Sequence, residues 1–88
     1  MKLTYDPDKN KINIQKHGIS LSETEAVFYD PFAIVKEDKD HDESRLVAIG
    51  TGNNGVVLTV CYTYKTDDEI RVISARKASK GERKHYEE

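Results

Sequence analysis

Tryptophan is absent from this 88-residue chain, and cysteine, methionine and proline are scarce, at one, one and two copies. Each shortage excludes something. With Cys61 alone no intrachain disulfide can form, and a chain this short buries only about 60–65% of its unfolded surface, so it depends on a small core of its own. Cys61 lies inside "VVLTVCYTY" with no basic residue beside it, which suits a small buried hydrophobe and not a nucleophile. No run approaches the ~18 consecutive apolar residues of a membrane-spanning helix. The opening "MKLTYDPDKN" turns polar after five residues, unlike a signal peptide. One unpaired thiol and no export signal predict a cytoplasmic protein.

Motifs are missing too. His17, His41 and His85 stand apart, with none of the HExxH or CxxC spacing of a zinc site. "TGNNG" at 51–55 links two predicted strands, where a phosphate loop would link a strand to a helix. No G-x-S-x-G elbow occurs. The sequence therefore predicts no metal, no cofactor, and neither a nucleotide-binding nor a hydrolase template.

What is present is charge, unevenly placed. The net charge is −2, yet six of the 14 Lys and Arg residues fall in the last 18 positions, "RVISARKASKGERKHYEE". Residues 1–70 carry a net −5 and residues 71–88 a net +3. Acidic residues cluster in "KEDKDHDES", 36–44. For a polyanionic partner the local patch matters more than the global balance. Solubility alone also explains a basic terminal helix.

The chain reads as one α+β domain spanning 1–88. "KLTY" (2–5) is a short edge strand. Asp6 is an N-cap, Pro7 suits the first helical position and Gly18 the C-terminal stop, giving a helix at about 7–17 whose thin apolar face is Ile12 and Ile14. Ser20 and Glu23 stand at capping-box spacing and open a second helix, ended by "YDPF". "FAIVK" (32–36), "RLVAIG" (45–50), "VVLTVCYTY" (56–64) and "EIRVISAR" (69–76) are rich in β-branched and aromatic residues. The turns "TGNNG" and "KTDD" make the last three an antiparallel meander, with "FAIVK" as a fourth strand. Simple alternation puts Ile70, Val72, Ser74 and Arg76 on one face of the last strand. Ser79 and Glu82 cap a short helix at 80–87, which must dock because two turns are unstable alone.

Arg76 ends a strand on an otherwise apolar face. It either leaves the sheet for solvent, pairs with Glu23 or Glu25, or clamps an anion through its guanidinium fork. Arg83 and Tyr86 share a face of the final helix, as an ordinary surface or as a contact. Arginines with a histidine, a glutamate and a tyrosine, and no metal, suit one reaction. RNA carries its own nucleophile, the 2′-hydroxyl, so a protein need only hold the phosphate, neutralise its charge and assist proton transfer.

The blocks "YDPDKNKINIQKHGIS", "DP", "DHDESR" and "RVISARKASKGERKHYEE" together resemble the BrnT family of type II toxins over nearly the whole chain. The ending I-S-A-R-x-A-x-x-x-E-R is the most specific part. Tyr5 stands where family members often have tryptophan. The resemblance implies a small ribonuclease of RelE-like fold: two N-terminal helices, an antiparallel four-stranded sheet plus a short edge strand, and a short C-terminal helix. It also implies neutralisation by direct binding of an antitoxin, BrnA. On the matching positions, Arg45 and Arg76 are expected to clamp phosphate, and His17 or Glu82 to transfer the proton. Lys16 and Arg83 are expected to steer the RNA backbone, and Tyr86 to stack on a base or orient the phosphate. The expected protein is a metal-independent endoribonuclease toxin acting on RNA, paired with a BrnA-like antitoxin as a dimer or heterotetramer. The alternative is a non-catalytic module that binds antitoxin or nucleic acid in operon autoregulation.

Overall fold

The computed structural model describes residues 1–38 and 45–88; His41 and most of the acidic stretch lie outside the described residues. In chain order the elements are β1 (Lys2–Tyr5), α1 (Pro7–His17), a 3-10 helix (Leu21–Tyr29), β2 (Ile34–Glu37), β3 (Arg45–Thr51), β4 (Val57–Thr66), β5 (Glu69–Lys77) and α2 (Lys80–Glu87). The strands form one sheet in the order β1-β5-β4-β3-β2. β2 to β5 pair antiparallel, as expected of two hairpins and an added strand. β1 pairs parallel with β5, from Lys2 opposite Glu69 to Tyr5 opposite Val72, so the whole sheet is mixed and not antiparallel. No tight turn joins β1 to its neighbour. Its chain leaves through α1, and a strand joined by a long crossover is free to run parallel.

One face of the sheet carries the core. Ala48, Leu58, Val60, Tyr62, Ile70, Val72 and Ala75 pack against Ile19, Leu21 and Val27. Phe28 meets Tyr62 edge-on, with ring centroids 4.9 Å apart. Among the described residues the opposite face is largely open except where α2 packs on β3.

The expected caps of α1 are present. Asp6 accepts from the Asp8 N–H at 2.9 Å, and Gly18, at φ 70°, donates to the Ile14 carbonyl at 2.8 Å. Its docking differs from the expectation. Ile12 and Ile14 are exposed, and the helix's buried residue is Asn13. Its amide donates to Ala75 O and Ile19 O, both at 2.9 Å, and accepts from Ala75 N at 3.1 Å. β1 covers β5 only as far as Val72. Beyond that point Asn13 satisfies the strand's backbone as a neighbouring strand would.

The second helix is 3-10 throughout, and the capping box expected of Ser20 and Glu23 does not form. Ser20 Oγ accepts from Ser22 N, while Glu23 Oε2 accepts from Asn54 at 3.2 Å. Asn53, in the β3–β4 turn, donates from its backbone to Glu23 O at 2.9 Å and accepts from Ala26 N at 2.8 Å. These bonds divert backbone groups that an α-helix would use internally. Gly52 permits the close approach: a Cβ there would come within 2.6 Å of Leu58 Cδ1 and 3.1 Å of Glu23 O.

β5 contains a bulge. Cys61 pairs with Ser74 but Tyr62 pairs with Val72, leaving Ile73 as the extra residue. The simple alternation therefore fails after Val72. Ala75 replaces Ser74 on the core face, and Ser74 and Arg76 turn to the open face with their partners Cys61 and Thr59.

Asn13→Ala strands three backbone groups near the bulge. We expect a loss of about 3 kcal/mol in urea unfolding. A loss under about 0.5 kcal/mol would show that Asn13 does not hold this edge.

Candidate active site

The open face bears a groove of about 520 Å³, within the usual range for ligand sites. It is lined by His17, Arg45, Arg76 and Glu82, together with Lys36, Asp38, Thr59, Cys61 and Ser74. Four structural features bring the first four together. Arg45 opens β3 and faces the open side at Thr63, two places from Val47. The bulge at Ile73 delivers Arg76. The docking of α1 through Asn13 delivers His17, one helical turn on and so on the same helix face.

Glu82 arrives on α2. Its capping box with Ser79 is complete: Ser79 N donates to Glu82 Oε1 at 2.8 Å, and Glu82 N donates to Ser79 Oγ at 3.2 Å. The carboxylate then reaches the sheet. Arg76 Nη1 and Nη2 grip its two oxygens at 2.7 and 3.0 Å, and Thr59 Oγ donates at 3.0 Å. The partner of Arg76 is thus Glu82, not Glu23 or Glu25. Charge-assisted bonds of this forked kind are strong and directional. The Arg76 bond lowers the Glu82 pKa most, burial opposes it, and the Ser79 and Thr59 bonds add to it, bringing the value to about 2. Near neutrality Glu82 is an anion, a weak base with no proton to give. The same bond raises the pKa of Arg76, against a smaller opposing effect of burial.

Arg76 keeps donors for a ligand. Its bonds engage Nη1 and one hydrogen of Nη2, with Nη1 also reaching Lys77 O at 3.3 Å. The Nε edge remains available among the described residues. Cys61, expected to be buried, is half-buried on the groove floor, and its Sγ donates to Asp38 at 3.8 Å. Burial and then the Asp38 charge push its pKa up despite Arg45, so the thiol stays protonated.

Not every expected residue is here. Lys16 lines an adjoining cleft and not the groove. Arg83 is exposed on α2 and does not line the groove. Tyr86 points back to the body of the fold, donating to Asp30 and sharing a hydrogen bond with Thr51 at 3.0 Å. Burial raises the Asp30 pKa, but bonds from Tyr86, Thr51 and Phe32 outweigh it and leave the carboxyl lowered. The Asp30 bond is also the main reason that the Tyr86 phenol is raised. This contact anchors the end of α2. Lys36, Thr59 and Ser74 are groove residues that the sequence reading missed. Alternation across β2 and β3, which sets Lys36 beside Val47, could have found the lysine.

A family model described as "Ribonuclease toxin, BrnT, of type II toxin-antitoxin system" matches residues 5–82. The chain belongs to the BrnT family. The ribonuclease toxin BrnT of Brucella abortus, known from a 1.1 Å crystal structure, is similar at 31% identity and TM-score 0.75, over 91% of this chain and 99% of that one. No curated protein matches the chain. The BrnT match runs from Tyr5 to Glu82, so it takes in the whole groove and stops short of Arg83 and Tyr86.

In this BrnT-family chain the Glu82 bonds favour the ionised form, so their contribution to stability is full above pH about 4.5 and is lost as pH falls towards 2. The difference in urea midpoint between the native chain and Glu82→Gln is expected to narrow across that window. A difference that stays constant from pH 5 to pH 2 would contradict the assignment.

Proposed function

We propose that this chain is a metal-independent endoribonuclease toxin that cleaves RNA by attack of its own 2′-hydroxyl. The observation that carries this reading is the meeting of His17, Arg45, Arg76 and Glu82 in one groove of the open face. Arg45 and the Nε edge of Arg76 clamp the scissile phosphate and offset the charge that grows on it. Lys36 adds a cation to the same floor. The 2′-oxygen bonds to phosphorus, its proton passes to water in the open groove, and the bond from phosphorus to the 5′-oxygen breaks. The His17 imidazolium gives that oxygen its proton. The products are a 2′,3′-cyclic phosphate and a free 5′-hydroxyl. Glu82 acts as a positioning residue, because an anion with a pKa of about 2 holds Arg76 better than it carries protons. We read the architecture as RelE-like and the setting as cytoplasmic. A BrnA-like antitoxin neutralises the toxin by direct binding, as a dimer or heterotetramer.

The experiment is cleavage of a defined RNA by purified protein. Arg76→Ala is expected to lose at least about 100-fold in rate, and Arg76→Lys to recover little of it, since an ammonium lacks the fork. EDTA is expected to have no effect, and an all-deoxy strand to survive. A need for divalent cations, a cleaved deoxy strand or a fully active Arg76→Ala would each contradict the scheme. In cells, growth arrest that is rescued by the neighbouring gene product and lost in Arg76→Ala supports the toxin. Tight complex formation without toxicity supports the non-catalytic module.

A further inference from the structure

Beside the groove lies a second, smaller cleft of about 160 Å³ between α1 and β5. Lys9, Ile12, Lys16 and Ile73 line it, together with His17 and Ser74, which also line the groove. The two hollows therefore share a wall and can carry one continuous strand. We propose that this cleft is a nucleotide subsite for RNA on the 3′ side of the cut, a proposal that rests on the ribonuclease reading above.

Three observations support it. Lys9 and Lys16 are exposed, and neither enters an ion pair among the described residues. They lie two turns apart, about 10 Å along the helix, with their charges on the face that borders the cleft. Ile12 is 50% exposed and takes no part in the core, while Ile73 is the residue extruded by the bulge. Two branched apolar side chains between two lysines suit a base face flanked by phosphates, a combination that single strands reward. Third, His17 stands on the shared wall. If it protonates the 5′-oxygen, the leaving nucleotide must lie on its far side from the arginines, which is the α1 cleft. That order fixes the polarity of the strand.

The test uses the full-length protein and short RNAs around a mapped cut. One RNA ends at the nucleoside released by the cut, a second adds one nucleotide on its 3′ side, and a third adds one on the 5′ side. Native protein is expected to favour the 3′-extended RNA over the shortest several-fold in kcat/KM, with little gain from the 5′ extension. Lys9→Ala is expected to bring the 3′ preference close to one. Binding of an uncleavable 2′-O-methyl strand is measured beside it against salt. Lys9→Ala is expected to lower the slope of log affinity against log salt by about 0.7, one phosphate's worth. A 3′ preference that survives in Lys9→Ala, or a preference on the 5′ side, overturns the subsite while leaving the ribonuclease intact. Neither cleavage nor binding of RNA by native protein overturns both.

Discussion

One extra residue in β5 governs what this molecule can do. Without Ile73 as a bulge, strict alternation would carry Ser74 and Arg76 into the layer occupied by Ile70 and Val72, beneath the helices. A guanidinium there would be buried among apolar side chains at great cost. With the bulge, an alanine takes the core position, and the arginine faces open solvent above Thr59. β1 stops pairing with β5 at Val72, and beyond it Asn13 takes the place of a neighbouring strand by bonding both polar groups of Ala75. The same side chain fixes α1, and α1 carries His17. A single buried amide thus ties together the two elements that carry His17 and Arg76, groove residues 59 positions apart in the chain.

The second governing contact is the fork between Arg76 and Glu82. Glu82 belongs to three structures at once: the cap of α2, the ion pair with the sheet, and the Thr59 bond. A two-turn helix has little stability of its own. It is fastened at its start by Glu82 and at its end by Tyr86 on Asp30 and Thr51. The family resemblance placed both residues at the chemistry, yet their geometry is that of fasteners. They hold the helix, and through it one edge of the arginine, so that the remaining edge is presented in a fixed direction. Preorganised donors of this kind cost no rearrangement at the moment of reaction.

Local signals were legible where local physics decides. The caps at Asp6, Gly18 and Ser79, both hairpin turns and the boundaries of α1 and α2 follow from residues within a few positions of one another. Long-range effects were not. The bulge is a matter of register against β4, and periodicity alone puts Arg76 on the wrong face. The 3-10 form of Leu21–Tyr29 depends on Asn53, which lies in a turn that reads only as a turn. Ile12 and Ile14 read as the apolar face of α1 in the sequence, yet the helix docks through an amide and leaves both isoleucines exposed. Arg45, Arg76, His17 and Glu82 were named from the resemblance, and the fold brings them together. Lys36 escaped because a lone lysine on an edge strand gives no signal until its neighbour across the sheet is known.

The central claim is that RNA phosphate sits between Arg45 and Arg76 with His17 at its side. The most direct measurement is an NMR titration of ¹⁵N-labelled protein with an uncleavable 2′-O-methyl oligonucleotide, following the arginine Nε signals and the backbone amides. The account predicts that the Nε signals of Arg45 and Arg76 shift in step, together with amides at His17, Thr59 and Ser74. Shifts confined to the β2 edge or to the outer face of α2, with both arginine signals unmoved, would contradict it.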